Sequence, residues 1–183
     1  MTREIPLTLG QVALVDDEDY DALVAQGKWR AMKRKSGCPY YAMNHVPKSE
    51  GGYFSQCMHR FIMATPKDLE TDHINGDGLD NRRANLRNAT HTQNGANRHK
   101  RSTGTSSQYK GVSYRPARWE ANINWQREHR YLGSFASEEE AARAYDEAAR
   151  EVHGEFACLN FPEDSESNAA VERAPVRFPS EVR

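Results

Sequence analysis

The chain has 183 residues, of which 28% are charged and 37% hydrophobic, and a formal net charge of −1, leaving room for one domain or two small ones with modest cores. No apolar run approaches the ~18 residues of a membrane span and no basic-apolar leader opens the sequence, so a cytoplasmic, non-secreted protein without membrane partners is expected. Cys38, Cys57 and Cys158 are an odd, scattered set with no C-x-x-C pair, which argues against a disulfide framework and against a structural zinc site.

Residues 1–57 read as a small β-rich scaffold. Ile5, Leu7 and Leu9 alternate, Gly10 breaks the run, and Val12 to Val15 resumes it, which predicts two strands around a turn. Asp16 is placed to cap a short helix through Tyr20, Leu23 and Val24, with Gly27 as its stop. Trp29 to Lys33 and Tyr40 to Val46 suit strands about the Ser36-Gly37-Cys38-Pro39 turn, and a third follows at Tyr53 to Cys57. Lys33, Arg34 and Lys35 read as an exposed turn. Met58 to Met63 suits a short helix closed by Pro66, with His59 as a packing residue.

Glu70 to Arg98 carries the chemistry of the first half. Asp72 and His73 sit on a short extended run, Glu70 to Ile74, and so point to opposite faces of a strand. Asn75-Gly76-Asp77-Gly78 is turn chemistry, and Asn85-Leu86-Arg87 suits a second strand. Thr90 with Gln93 forms a capping box, so a helix starts near His91 and carries Asn94, Asn97 and Arg98 on one face. A divalent cation that assists phosphodiester cleavage takes oxygen ligands and leaves room for water and phosphate. Asp72 offers the carboxylate and Asn94 an amide oxygen. His73, with an ordinary pKa of about 6.5, suits a general base.

The pattern D-H-I-N-G-D-x-x-D-N-R-x-x-N-L-R-x-x-T-x-x-x-N resembles the HNH endonuclease motif in the variant of phage and intron homing endonucleases. The resemblance implies a ββα-metal unit over residues 58–98 and one divalent cation, Mg²⁺ or alternatively Mn²⁺. It implies that His73 is the general base, that Asp72 and Asn94 are metal ligands, and that Asn85 holds the loop so that the His73 ring is oriented. Many members have His where this chain has Asn94, and His91 is the rival ligand.

Arg98 to Gln108 is basic, Ser/Thr/Gly-rich and without period, so 99–108 reads as a linker, and Arg98, Lys100 and Arg101 are placed to meet phosphates. Beyond it, Tyr109 to Arg115, Trp119 to Trp125 and Arg130 to Phe135 each suit a strand. In the second, Trp119, Ala121, Ile123 and Trp125 share one face and Glu120, Asn122 and Asn124 the other. Ser137 and Glu140 form a second capping box, opening a helix with Ala141, Tyr145, Ala148 and Val152 on one stripe and Gly154 as its stop. The expected fold is α+β: a β-rich scaffold with a ββα-metal unit, then a three-stranded antiparallel sheet packed on one helix. The polar, proline-punctuated residues 163–183 are expected to be a disordered tail.

Over 109–162 the runs Y-K-G-V-S-Y-R-P, W-E-A-N-I, Y-L-G-S-F-x-S-x-E-E-A-A-R-A-Y-D-x-A-A and L-N-F-P resemble the APETALA-two domain of plant ethylene-response factors, which also occurs fused to HNH nucleases in phages and bacteria. That family lays its sheet in the major groove. By position the resemblance implies DNA contacts from Lys110, Arg115, Asn122, Asn124, His129 and Tyr131. Ser113, Asn122 and Asn124 depart from the plant pattern, so plant target sequences do not carry over. Charge is distributed to match: Arg82 to Arg130 holds eleven Lys or Arg against Glu120 and Glu128.

The expected function is therefore a metal-dependent endonuclease of double-stranded DNA, acting as a monomer that nicks. A DNA-binding regulator with an inactive nuclease unit is the first rival. An RNA-directed module is the second, disfavoured because the A-form major groove is too narrow for a sheet.

Overall fold

A computed structural model describes residues 1–33, 39–100, 104–125 and 128–162, which fall into two compact units, Met1–Arg98 and His99–Arg183. The Ser36-Gly37-Cys38 part of the expected turn, Arg34, Lys35, Arg101 and the expected tail over 163–183 lie outside the described residues.

The first unit opens with an antiparallel hairpin of β1 (Thr2–Pro6) and β2 (Val12–Asp16). Pro6 ends β1, and the expected alternation through Leu9 stops there: Leu9 is exposed, in a 3-10 turn at a positive φ of 60°. Helix α1 (Asp17–Ala25) follows with three acids in its first turn, which favours its N-terminus. Asp16 precedes α1 as expected but does not cap it; its carboxylate accepts from the Arg83 backbone N–H at 2.7 Å. β3 (Arg30–Lys33), β4 (Tyr40–Pro47) and β5 (Tyr53–Cys57) form an antiparallel sheet in that order, and α2 (Met58–Ile62) leads on.

The remainder of the unit is a hairpin of β6 (Glu70–His73) and β7 (Leu86–Ala89), then α3 (His91–Ala96). A core joins the first elements to the hairpin: Ile5, Val15, Leu23, Trp29 and Met58 pack with Leu86 of β7. Full burial of each such large side chain contributes about 1.5–3 kcal/mol. The loop between β6 and β7 is anchored far back in sequence. Leu14 N–H donates to the Leu79 carbonyl at 2.9 Å, and Asn81 N–H donates to the Leu14 carbonyl at 2.8 Å. The Arg83 guanidinium forks onto Asp19 at 2.8 and 2.6 Å. Gly78 is required for a further reason: a Cβ there would overlap the Tyr40 carbonyl and the Tyr41 ring. The N-terminal segment thus fixes where the loop stands.

In the second unit β8 (Val112–Arg115), β9 (Arg118–Trp125) and β10 (Glu128–Phe135) form an antiparallel sheet in the order β10-β9-β8, crossed by α4 (Glu138–His153). A bulge lies between Tyr131 and Gly133. Ala121 and Ile123 are buried with Ala141, Ala142, Tyr145, Ala148 and Ala149 of α4, so small alanines let the helix lie close on the sheet. The first strand begins three residues later than its sequence suggests. Gly111 makes a turn at φ 75°, and a Cβ there would overlap the Tyr145 ring. Asp146, buried in α4, accepts from the Asn160 and Phe161 backbone N–H groups at 2.8 Å each; Asn160 in turn bonds both backbone groups of Lys110. The L-N-F segment therefore ties the end of α4's packing in the second unit back to the turn before β8.

Candidate functional site

Asp72 and His73 end β6 side by side, 5% and 7% exposed, and their side chains leave opposite faces of the strand. Register places Asp72 opposite Arg87 and His73 opposite Leu86. The cross-strand pair becomes a buried ion pair, with Arg87 Nε and Nη2 at 3.0 and 2.8 Å from Asp72 Oδ2. Just past α3, its C-cap residue Asn97 donates from Nδ2 to both Asp72 oxygens at 3.1 and 3.0 Å and to the His73 carbonyl at 2.9 Å.

His73 faces the other way, into a group of rings. Its ring centroid is 4.9 Å from His59, edge to face, and 5.8 Å from Tyr41. Burial pushes its pKa below the ordinary value, against the opposing pull of Asn81 and nearby acids, so the imidazole is neutral at pH 7. Its tautomer follows from its partner. Asn81, fully buried, donates its amide N–H to the Leu79 carbonyl at 3.1 Å and so turns its oxygen to His73 Nε2, at a long 3.5 Å. Nε2 then carries the hydrogen and Nδ1 the lone pair.

Asn85 staples the loop: its amide oxygen accepts from Asn75 N–H at 3.0 Å and its amide nitrogen donates to the Asp80 carbonyl at 2.8 Å. Asp80 adds a fork from Arg82, at 2.7 Å twice, which holds its carboxyl below the usual range. Asn94 does not meet Asp72 directly. Its Nδ2 donates to Glu70, which also holds His91 Nδ1 at 2.9 Å. Among the described residues no three His, Cys, Asp or Glu converge as a metal-holding group. The oxygens on hand are the Asp72 carboxylate and the Asn94 amide oxygen, a hard set suited to an Mg²⁺-type ion that retains water.

Glu70, Arg87, Asn97, Asn81 and the ring of Tyr41 are parts of this arrangement to which sequence reading gave no role at the site. Alternation does put Glu70 on the Asp72 face, and three-residue spacing does put Asn97 in line with His91 and Asn94. His59 was read as a packing residue, and what it packs on is His73.

On the second unit, Arg115, Asn124, His129 and Tyr131 are exposed and Asn122 is half-buried, with His129 opposite Asn124 and Tyr131 opposite Asn122. Arg115 lies 3.6 Å from Glu120, an acid on the same face. Lys110 is half-buried; burial lowers its pKa, and Asp146 and Cys158 are the charges that oppose the shift. Lys100, read as a phosphate contact in a linker, donates its ammonium to the Tyr109 and Val112 carbonyls at 2.6 and 2.8 Å. Arg98 is exposed at the end of the first unit.

A strand–loop–strand–helix unit with Asp-His at the strand end, followed by a three-stranded sheet on one helix, defines a two-part chain. Residues 64–96 match the family model of HNH endonucleases and residues 107–155 match that of the AP2 domain, so the chain carries an HNH endonuclease domain and an AP2 DNA-binding domain. It is similar to an uncharacterized HNH endonuclease of Acanthamoeba polyphaga mimivirus, 34% identical over 110 residues that cover 56% of each chain. It is also similar to dehydration-responsive element-binding protein 2E of Oryza sativa subsp. japonica, 43% identical over 74 residues, 39% of this chain and 23% of that one. Ethylene-responsive transcription factor 3 of Nicotiana tabacum is 47% identical over 57 residues, 30% of this chain and 25% of that one. The chain thus spans between about a quarter and just over half the length of these relatives. No described helix is long and apolar enough to cross a membrane.

Proposed function

We propose that this chain is a metal-dependent endonuclease that hydrolyses phosphodiesters in double-stranded DNA, targeted by its second unit. The observation that carries the reading is the match of residues 64–96 to the HNH endonuclease model, with His73 beside Asp72 at the strand end and its Nε2 turned to the Asn81 oxygen. His73 Nδ1 takes a proton from the attacking water. Asn81 holds the ring, and Asn85 keeps the loop that carries Asn81 in shape. Asp72 and Asn94, with His91 as the rival for Asn94, would hold an Mg²⁺ or Mn²⁺ ion. When bound, such an ion stabilises charge developing on the phosphate and on the leaving 3′ oxygen. One site of this kind cuts one strand, so a monomer nicks.

The exposed face of the second unit's sheet supports the choice of duplex DNA. Arg115, Asn122 and Asn124 are side-chain types that pair bidentately with guanine or adenine edges, and a narrow antiparallel sheet enters the major groove. A second reading, a DNA-binding regulator without cleavage, draws on Asp72, whose carboxylate is engaged by Arg87 and Asn97.

The test is cleavage of supercoiled DNA carrying a site selected by binding, with Mg²⁺ or Mn²⁺, beside EDTA and His73→Ala. Metal-dependent nicking that His73→Ala abolishes while duplex binding persists is the expected result. Tight binding to the selected site without cleavage in any metal would replace the nuclease reading with the regulator.

A further inference from the structure

Glu70 is a charged residue of β6 to which the proposed chemistry gives no task. It lies two positions before Asp72 on β6, so both project from the same strand face, and both are met by side chains of α3. His91 Nδ1 is 2.9 Å from one Glu70 oxygen, and Asn94 Nδ2 donates to the other. A glutamate carboxyl at its ordinary pKa of about 4.3 is ionised at neutral pH.

An ionised carboxylate only accepts. The hydrogen between Glu70 and His91 therefore sits on Nδ1, which leaves Nε2 as the end of the ring open to a cation. The amide end facing Glu70 is the NH2 end of Asn94, which leaves Oδ1 on the far side. No hydrogen bond among the described residues reaches that oxygen. One carboxylate thus selects the acceptor end of both rival ligands.

We propose that Glu70 is the positioning residue of the cation site: by taking the donor ends of His91 and Asn94, it presents His91 Nε2 and Asn94 Oδ1 together as ligands on the face that carries Asp72. On this view the two rivals are partners. Carboxylates that hold the far nitrogen of a ligating imidazole act in this way, and their loss typically weakens metal binding about 10- to 100-fold. The inference rests on the metal-dependent reading, and its test separates the two.

The experiment is a Mn²⁺ titration of the full chain, reading free Mn²⁺ by electron paramagnetic resonance, with no cleavage involved. Glu70→Gln is expected to weaken binding about 10-fold or more. Glu70→Asp keeps the charge but falls one methylene short, and is expected to weaken it similarly. In a His91→Ala/Asn94→Ala background, Glu70→Gln is expected to add less than about a threefold effect, because the groups it positions are gone. Full affinity in Glu70→Asp, or an undiminished Glu70→Gln effect in that background, would reduce Glu70 to a diffuse charge and overturn the inference. Unchanged affinity in Glu70→Gln would overturn it while leaving the nuclease reading intact. A wild-type chain that binds no Mn²⁺ would remove the metal-dependent reading and this inference with it.

Discussion

Replacing Arg87 with Met tests whether the Asp72 site is a buried charge pair held in tension until a cation arrives. Arg87 and Asp72 side chains are 12% and 6% exposed and meet at 2.8 Å, so neither charge is well served by water. Removing one partner of such a pair costs about 3–5 kcal/mol, because the remaining charge stays buried without its counter-ion. Asn97 still donates to both Asp72 oxygens, which places the expected loss near the lower end, roughly 3 kcal/mol. For a unit of this size, each kcal/mol moves the midpoint by about 4–8 °C, so a fall of roughly 12–24 °C is expected for the first unit. Calorimetry of the full chain in EDTA measures it. A divalent ion binding at Asp72 replaces the lost positive charge, so Mg²⁺ should raise the midpoint more in Arg87→Met than in the wild type. A loss below about 1 kcal/mol in EDTA would refute the burial argument, since that is what an exposed pair contributes.

Gly111→Ala forces a left-handed residue, costing about 1–2 kcal/mol, and drives a Cβ into the Tyr145 ring, costing about 1–3 more. The second unit should lose stability and duplex affinity while Mn²⁺ binding is unchanged, checked by calorimetry and titration on one sample. His153, whose pKa is lowered by burial and then by Lys110, favours the neutral form in the folded state. Its stabilising effect is full above about pH 6.5 and is lost as pH falls through the lower folded value. His153→Gln should flatten the acid side of the second unit's stability curve, measured by urea unfolding at stepped pH. Glu120 sits 3.6 Å from Arg115 on the face proposed to meet DNA. Glu120→Gln frees that guanidinium and removes a negative charge, so duplex affinity at low salt should rise several-fold, read by fluorescence anisotropy; a fall would mean that Glu120 itself accepts from a base.

Local chemistry was legible and register was not. Both capping boxes, Thr90 with Gln93 and Ser137 with Glu140, form where sequence places them, since three residues and two side chains decide each one. The opposed faces of Asp72 and His73 follow from strand alternation alone. Which acid Asn94 meets does not. A shift of α3 along β6 by one turn exchanges Glu70 for Asp72, and that offset depends on contacts between elements, not on local sequence. The Asp72–Arg87 pair depends likewise on the register across a loop of Asx turns, with Asn75 and Asp77 each accepting a backbone N–H two residues on. Lys100 reads differently in the structure for a compositional reason: a basic run suggests solvent, but the ammonium donates to the Tyr109 and Val112 carbonyls.

Amide side chains recur at each decisive point of the first unit, and their chemistry explains why. An Asn carries a donor and an acceptor on one rigid plane, so fixing either end determines what the other presents. Asn81 is fixed by the Leu79 carbonyl and turns its oxygen to His73. Asn97 spends its nitrogen on Asp72 and two backbone carbonyls. Asn94 spends its nitrogen on Glu70. At the last of these positions an amide oxygen offers the same ligand at any pH, whereas an imidazole loses its lone pair when protonated. A chain with Asn94 and His91 on one carboxylate therefore sets an amide beside an imidazole at the proposed cation site. Removing His91 should weaken Mn²⁺ binding and leave the Asp72 carboxylate and the Asn94 amide oxygen as the remaining ligands of the proposed site, read by the same Mn²⁺ titration.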